Sequence, residues 1–276
     1  MEGQVSLVTG AGRGIGRATA IALADAGSAV VLGARTVSQV EEAAAAIRAQ
    51  GGRAVATQLD VTDLESVRRF VAAALDNFGQ IDVLVNNAGS NNGADDGAVG
   101  PLWEINPEAW WTDVEVNLRG TFLCSHAALP NMVERGTGHI VNITSMVAGM
   151  PWPYDSAYAC SKAGQVRLTD SLAAEVRDHG ISVFALSPGR VRTELVDGAV
   201  RTEAGQKWLA PGVGALVFPD VPPELAAGEV VFLVSGAADG LTGRFLHTGW
   251  DLRDLARRAD DIAERDVLQV RLLTAD

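Results

Sequence analysis

Residues 9–16 read TGAGRGIG, directly after the apolar run VSLV at residues 5–8 and directly before RATAIALADAG at residues 17–27. That order, a strand, then a glycine turn, then a helix, decides the fold. A turn so placed holds phosphate through backbone N–H groups and the positive end of the helix dipole. Its spacing is selective. From Gly10 the common dinucleotide pattern GxGxxG needs glycine where Ile15 stands, and from Gly12 it needs glycine where Arg17 stands. No GK[ST] follows, so the turn is not a Walker loop. What fits is TGxxxGxG through Thr9, Gly10, Gly14 and Gly16, with Ile15 inside the turn and Gly12 as an extra that the pattern does not require. A tight turn, a close approach of backbone to phosphate and close helix–strand packing each call for a missing side chain.

Outward from the turn, short apolar runs alternate with Ala-rich helical stretches. The strand candidates are residues 5–8, 29–33, 53–60, 81–87, 139–144, 181–187 and 244–248. The first three helical stretches end at Gly27, Gly51 and Gly79, the residue type expected just past a helix. Near-continuous apolar strands separated by helices imply an α/β, doubly wound fold, with a parallel sheet of about seven strands covered on both faces.

Composition narrows the function classes. The chain has 276 residues, 47% hydrophobic and 20% charged, with a formal net charge of -12. An acidic chain without clustered Lys and Arg is a poor partner for a phosphate backbone, so no nucleic acid is expected. No apolar run approaches the roughly 20 residues that span a bilayer, so no membrane partner is expected. The N-terminus MEGQVSLVTG lacks the basic flank and cleavage site of a signal peptide. Cys124 and Cys160 read as reduced thiols, and a cytoplasmic location is expected.

Further motifs follow in order: NNAG at residues 86–89, Asn117 in VEVNLRG, Ser145 closing HIVNITS, YACSK from Tyr158 to Lys162, and SPGRVRT at residues 187–193. With TGxxxGIG, this series makes the chain resemble the short-chain dehydrogenase/reductase family, in its single-domain branch, from about residue 4 to about residue 250. The resemblance implies one Rossmann-type catalytic domain over residues 1–250, its cofactor half at about 1–90 and its catalytic and substrate part at about 90–250. Residues 251–276 are then a C-terminal helical extension. It also implies a nicotinamide cofactor, a small-molecule carbonyl or alcohol substrate, and a homo-oligomer, tetramer or dimer.

Tyr158 and Lys162 are four residues apart and share one face of a helix. A phenol titrates near 10, and a neighbouring ammonium favours the phenolate, so Lys162 is expected to lower the Tyr158 value toward working pH. Tyr158 is then the general acid or base of hydride transfer, and Ser145 orients the substrate oxygen. By the resemblance, Lys162 also bonds the nicotinamide ribose and Asn117 holds a water in a proton relay with the Lys.

NAD-preferring folds of this kind end the second strand with a carboxylate. Here AVVLGARTV places Ala34 at that point and Arg35 next to it. A 2′-phosphate suits a guanidinium, and Arg13 inside the glycine turn is a second candidate, so NADP(H) is preferred over the alternative NAD(H). By the resemblance, Asp60 and Val61 contact adenine, Asn86 and Ala88 line the nucleotide, and Pro188, Gly189, Val191 and Thr193 meet the carboxamide.

Substrate-wall candidates are Trp103, Met146, Met150, Trp152, Trp208 and Phe218, a set that suits a bulky, largely apolar carbonyl compound. Residues 194–220 are a candidate lid. The end departs from the family pattern: LTGRFLHTGWDL replaces its usual glycine pair, and Leu252, Leu255, Ala259 and Ile262 share a helical face beyond it. Pocket cap, subunit interface and separate domain are all open for that extension. The expected function is NADP(H)-dependent carbonyl reduction. Its rivals are an alcohol or steroid-type dehydrogenase working oxidatively and a non-catalytic NADP(H) sensor.

Overall fold

Seven apolar runs pair into one parallel sheet, in the order β3-β2-β1-β4-β5-β6-β7. In this computed structural model the described residues are 1–91, 97–192, 201–209 and 219–270. The strands are β1 (Val5–Thr9), β2 (Ala29–Ala34), β3 (Ala54–Gln58), β4 (Val83–Asn86), β5 (Gly138–Ile143), β6 (Ile181–Ser187) and β7 (Phe245–His247). All five residues of β1 and all seven of β6 are buried, as strands covered on both faces must be.

Helices α1 (Gly14–Asp25), α2 (Val37–Ala49) and α3 (Leu64–Phe78) follow the first three strands. Gly79 closes α3 in the left-handed conformation at φ 81°, as the sequence pattern expects. Next come α4 (Pro107–Val114), a wide π turn (Glu115–Arg119) and α5 (Gly120–Arg135), then α6 (Ser156–Glu175) and α7 (Pro223–Leu233). One core lies on the α1, α2 and α7 face around Leu23, Leu32, Phe184 and Leu233; the other lies on the α3, α5 and α6 face around Phe70, Leu84, Met132 and Val183.

The extension forms two short helices, α8 (Leu252–Arg257) and α9 (Ala259–Glu264), rather than one continuous helix. The break falls at Arg258, whose φ and ψ of -105° and 19° leave the helical range. Leu252 and Ile262 are buried with Leu233 and Leu246 in the first core, and Leu255 and Ala259 pack against it. Past α9 the chain runs beside the edge of β7, where Phe245 N donates to Leu268 O at 2.7 Å and Arg244 pairs with Asp266 at 3.2 Å. A sheet edge covered this way has fewer backbone groups left for another chain.

Two glycines of the opening turn are required by packing. A Cβ on Gly16 would stand 2.3 Å from Gly10 O and 2.4 Å from Asn87 Nδ2. Gly12, an optional extra in the sequence pattern, is not permissive: its Cβ would lie 2.9 Å from Gln39 Cβ, at the start of α2. Gly228, on the exposed side of α7, has nothing within 4 Å of the same point. Gly16→Ala is therefore expected to lower the unfolding free energy by about 1–3 kcal/mol through overpacking. Gly228→Ala is expected to raise it by about 0.5–1 kcal/mol through helix propensity. Urea denaturation of the two variants checks both signs.

Candidate active site

The carboxyl ends of the strands open on a cavity of about 620 Å³, at the side where β1 and β4 diverge toward their helices. One end of its wall is the glycine turn, with Gly10 and Gly14 at φ 64° and 54°. The N-cap of α1 is Arg13, which makes no side-chain cap bond, and no acidic residue stands in the first turn. Those first-turn N–H groups, with no side-chain cap and no acidic residue in the turn itself, suit a pyrophosphate. Arg13, Ala34, Arg35, Thr36 and Gln39 continue the wall, bringing two guanidiniums to one end of the cavity without a β2 carboxylate. Asp60 and Val61 lie on the wall after β3, and Pro188, Gly189 and Val191 lie on it after β6. Thr193 lies outside the described residues.

The opposite end carries the hydroxyls and the amine. Ser145 follows β5, and its hydroxyl hydrogen-bonds the phenol of Tyr158, on the first turn of α6. One turn on, Lys162 is buried at 4% exposure and donates from Nζ to Ile143 O at 3.0 Å. Its Nζ stands 5.6 Å from the centre of the Tyr158 ring. Burial pushes the Lys162 ammonium down to about 7, against the pull of the Asp113 charge.

The expected depression of Tyr158 by Lys162 is not what the geometry gives. Burial pushes the phenol above its ordinary value, the Ser145 hydrogen bond pulls it down, and the charges of Asp155 and Asp113 push it further up. The reason is that the Lys162 ammonium is directed to a backbone carbonyl while two carboxylates lie near the ring. Tyr158 therefore keeps its proton across the neutral range.

Asn117 is fully buried in the π turn and does not reach the cavity wall. Its side chain accepts from Ser90 N at 2.8 Å and donates to Ser90 O at 2.8 Å and to Ser161 Oγ at 3.0 Å. A Cβ on Gly89 would fall 3.1 Å from Asn117 Oδ1 and 3.8 Å from Lys162 Nζ, so only a missing side chain separates the two. Asp113, on α4, accepts from Ser90 Oγ at 2.6 Å. Asp155, just before α6, accepts from Asn91 Nδ2 at 3.3 Å, from the Trp152 side chain and from the Tyr158 backbone N–H. Burial, then the Asp113 charge, raises Asp155 to about 6, and the three donors only partly offset this.

Several expected site residues lie off the cavity wall. Asn86 is not on the cavity wall: it is 2% exposed and donates to Ser125 Oγ on α5 and to Asn142 Oδ1 on β5. Its neighbour Asn87 is on the wall, with Ala88, and donates to the carbonyls of Thr9 and Gly10 at 3.0 and 3.2 Å. Ile15 is on the wall; Gly16 is not, and acts through packing. Met146, Met150 and Trp152 line the cavity. Trp103 is 84% exposed and donates only to its neighbour Glu104, because the residues around it turn it to solvent. Trp208 stacks on Tyr154 at 4.7 Å, and the adjacent Leu209 is the one that reaches the wall. Phe218, and most of the candidate lid, lie outside the described residues. Asn91 and Asp155 are wall residues that carry no motif, so spacing alone had no signal for them.

The short chain dehydrogenase family model matches residues 4–204. The chain belongs to that family. A short-chain dehydrogenase is an NAD(P)-dependent oxidoreductase, so this chain is one too. It is 36% identical to short chain dehydrogenase mpl6 of Monascus purpureus, over 99% of this chain and 89% of that protein. It is 38% identical to a 3-oxoacyl-[acyl-carrier-protein] reductase of Synechocystis sp., over 88% of this chain and 94% of that protein. Among solved structures, a variant of actinorhodin polyketide ketoreductase with NADPH matches with a TM-score of 0.78 at 31% identity, covering 88% of this chain and 95% of that one. No described helix is long and apolar enough to cross a membrane.

The raised carboxyl of Asp155 has a measurable consequence. A carboxyl whose folded value is raised contributes stability below its unfolded value near 3.8 and loses it as pH rises through about 6. Raising a carboxyl from 3.8 to about 6 corresponds to about 3 kcal/mol. From pH 4 to pH 7 the unfolding free energy of the wild type should therefore fall by roughly 2–3 kcal/mol relative to that of Asp155→Asn. Chemical denaturation across that window reads the difference, and a flat difference contradicts the burial argument.

Proposed function

We propose that the chain is an NADP(H)-dependent ketoreductase acting on a bulky, largely apolar ketone. The observation that carries this reading is the Ser145–Tyr158 hydroxyl pair on a cavity whose other end holds Arg13 and Arg35. A nicotinamide held in this cavity would supply the hydride. Ser145 donates a hydrogen bond to the substrate oxygen and fixes the carbonyl beside the Tyr158 phenol. Tyr158 gives its proton to that oxygen as negative charge develops there. Its raised value keeps the phenol protonated at neutral pH, the form that reduction consumes. Lys162, one helical turn on from Tyr158, would hold and orient the cofactor ribose. Asn117 holds the Ser90 turn that packs against Lys162.

Support for NADP(H) comes from the paired guanidiniums and the missing β2 carboxylate, and from the NADPH named with the actinorhodin ketoreductase structure. Met146, Met150 and Trp152 support an apolar substrate. The 3-oxoacyl reductase relative favours reduction over the oxidative alternative.

Two substitutions test the reading. Tyr158→Phe should lower kcat for NADPH-dependent ketone reduction at least about a hundredfold while NADPH binding stays within about twofold. Arg35→Asp should shift the NADPH-over-NADH ratio of kcat/KM by about tenfold or more toward NADH, the loss of a charge-assisted contact. Steady-state kinetics on a panel of ketones, quinones and 3-oxoacyl compounds, with NADPH titrations, reads both; unimpaired Tyr158→Phe turnover contradicts the acid role.

A further inference from the structure

Two carboxylates, Asp113 and Asp155, are buried beside Tyr158 at 1% exposure each. Residues 90 and 91 fix them: Ser90 Oγ donates to Asp113 at 2.6 Å, and Asn91 Nδ2 donates to Asp155 at 3.3 Å. Ser90 is in turn joined to Tyr158. Asn117 bonds the Ser90 backbone twice at 2.8 Å and donates to Ser161 Oγ at 3.0 Å, and Ser161 Oγ donates to Tyr158 O at 2.8 Å. Asp155 accepts the Tyr158 backbone N–H at the start of the same helix. Trp110 Nε1 donates to Ser156 Oγ at 3.0 Å and so ties α4, which carries Asp113, to the first turn of α6. Both acids are thus held in a fixed place relative to the phenol. Their hydrogen bonds do not require charge, since an amide oxygen accepts from a hydroxyl or an amide as a carboxylate does. Burying two like charges close together is costly, and a pair kept beside a reacting group points to a use for the charge.

The other charges around α6 are placed differently. The helix packs against α4, the π turn, the turn Met146–Gly149, β5 and β6, with the turn Arg177–His179 at its far end. Neither β6 nor Met146–Gly149 carries a charged residue, and Glu108, Glu115 and Arg119 are exposed. His139, at the opposite end of β5 from Ser145, pairs with Asp239 at 2.9 Å. Arg190, Arg192 and His247 line the cavity past β6 and β7. Lys162 directs its ammonium to Ile143 O. Burial holds the proton on the phenol most strongly, and the charges of Asp155 and Asp113 add to it against the Ser145 hydrogen bond. We propose that Asp113 and Asp155 are positioning residues for the proton: their charges keep it on Tyr158, so the cavity offers an acid to a ketone at neutral pH and a base to an alcohol only under alkaline conditions. The consequence for turnover rests on the ketoreductase reading; the charge effect on the phenol does not.

The chain has two tyrosines, so Tyr154→Phe leaves one phenol to titrate. In that background the phenolate absorbance of Tyr158 is followed against pH, with tryptophan fluorescence marking unfolding. Asp113→Asn and Asp155→Asn should each bring the phenolate in at a pH lower by at least about 0.5, before unfolding, and Asp155→Glu should keep the parent position. Kinetics read the same charge. With the panel ketone that is reduced fastest, and with its alcohol, the pH limbs of kcat/KM for reduction and for oxidation should both move down by that amount in the two Asn variants. Damage to the fold lowers the plateau and leaves the limbs in place. Phenolate that appears at the same pH in all the variants, before unfolding or with it, overturns the proposal and leaves the ketoreductase reading standing. Phenolate that moves while both kinetic limbs stay put overturns the proposal through the ketoreductase reading on which its consequence rests.

Discussion

A clasp between the ends of β1 and β4 is the constraint on which the rest of the site depends. Thr9 Oγ1 accepts from the N–H groups of Asn87 and Ala88, and the Asn87 side chain donates back to the carbonyls of Thr9 and Gly10. Strands β1 and β4 are neighbours in the sheet, but their chains leave in different directions toward α1 and α4. The clasp holds the two exits at a fixed separation and so holds the cavity open between them. It also explains why Gly16 admits no side chain, since a Cβ there would collide with Asn87 and with Gly10. The same short segment then delivers Gly89, Ser90 and Asn91 to Asn117, Asp113 and Asp155. One set of backbone-directed hydrogen bonds thus sets both the glycine-turn end and the Tyr158 end of the cavity.

The Tyr158 end of the cavity concentrates charge in a buried place. Lys162, Asp113 and Asp155 are each no more than 4% exposed, and the burial acts in opposite directions on the amine and the acids. Desolvation disfavours every charged form, so the ammonium is lowered, the carboxyl of Asp155 raised and the Tyr158 phenol kept neutral. Such groups persist because their hydrogen bonds are met by Ile143, Asn91, Ser90 and Ser145. Cys124, buried without such partners, is pushed up to about 12 and is an inert thiol of the core.

Much of the fold was legible along the chain. Each of the seven apolar runs became a strand within a few residues of its expected bounds, because strands buried on both faces leave an uninterrupted apolar signature. Ser145, Tyr158 and Lys162 were legible because their spacing is local to one strand end and one helix. Asn86 was misplaced for a physical reason: adjacent residues at a strand end point to opposite sides, and NNAG does not say which asparagine meets the turn. Asp113, Asn91 and Asp155 meet across three separate segments, so no spacing rule reaches them. Trp103 has the right residue type beside the right loop but faces solvent, and composition cannot distinguish the two. The electrostatics of Tyr158 depended on where the Lys162 ammonium finds its acceptor, which is a tertiary fact.

Hydride transfer to a ketone, with the proton supplied by the protein, is the central claim made for this cavity. Its most direct measurement is isotopic: the chain is incubated with a ketone and NADPH carrying deuterium at both C4 positions, and the alcohol is analysed by mass spectrometry and NMR. The expected product carries one deuterium per molecule, on the carbinol carbon, and none on the hydroxyl, whose proton comes from Tyr158 and exchanges with water. Alcohol formed without deuterium at that carbon would contradict the claim.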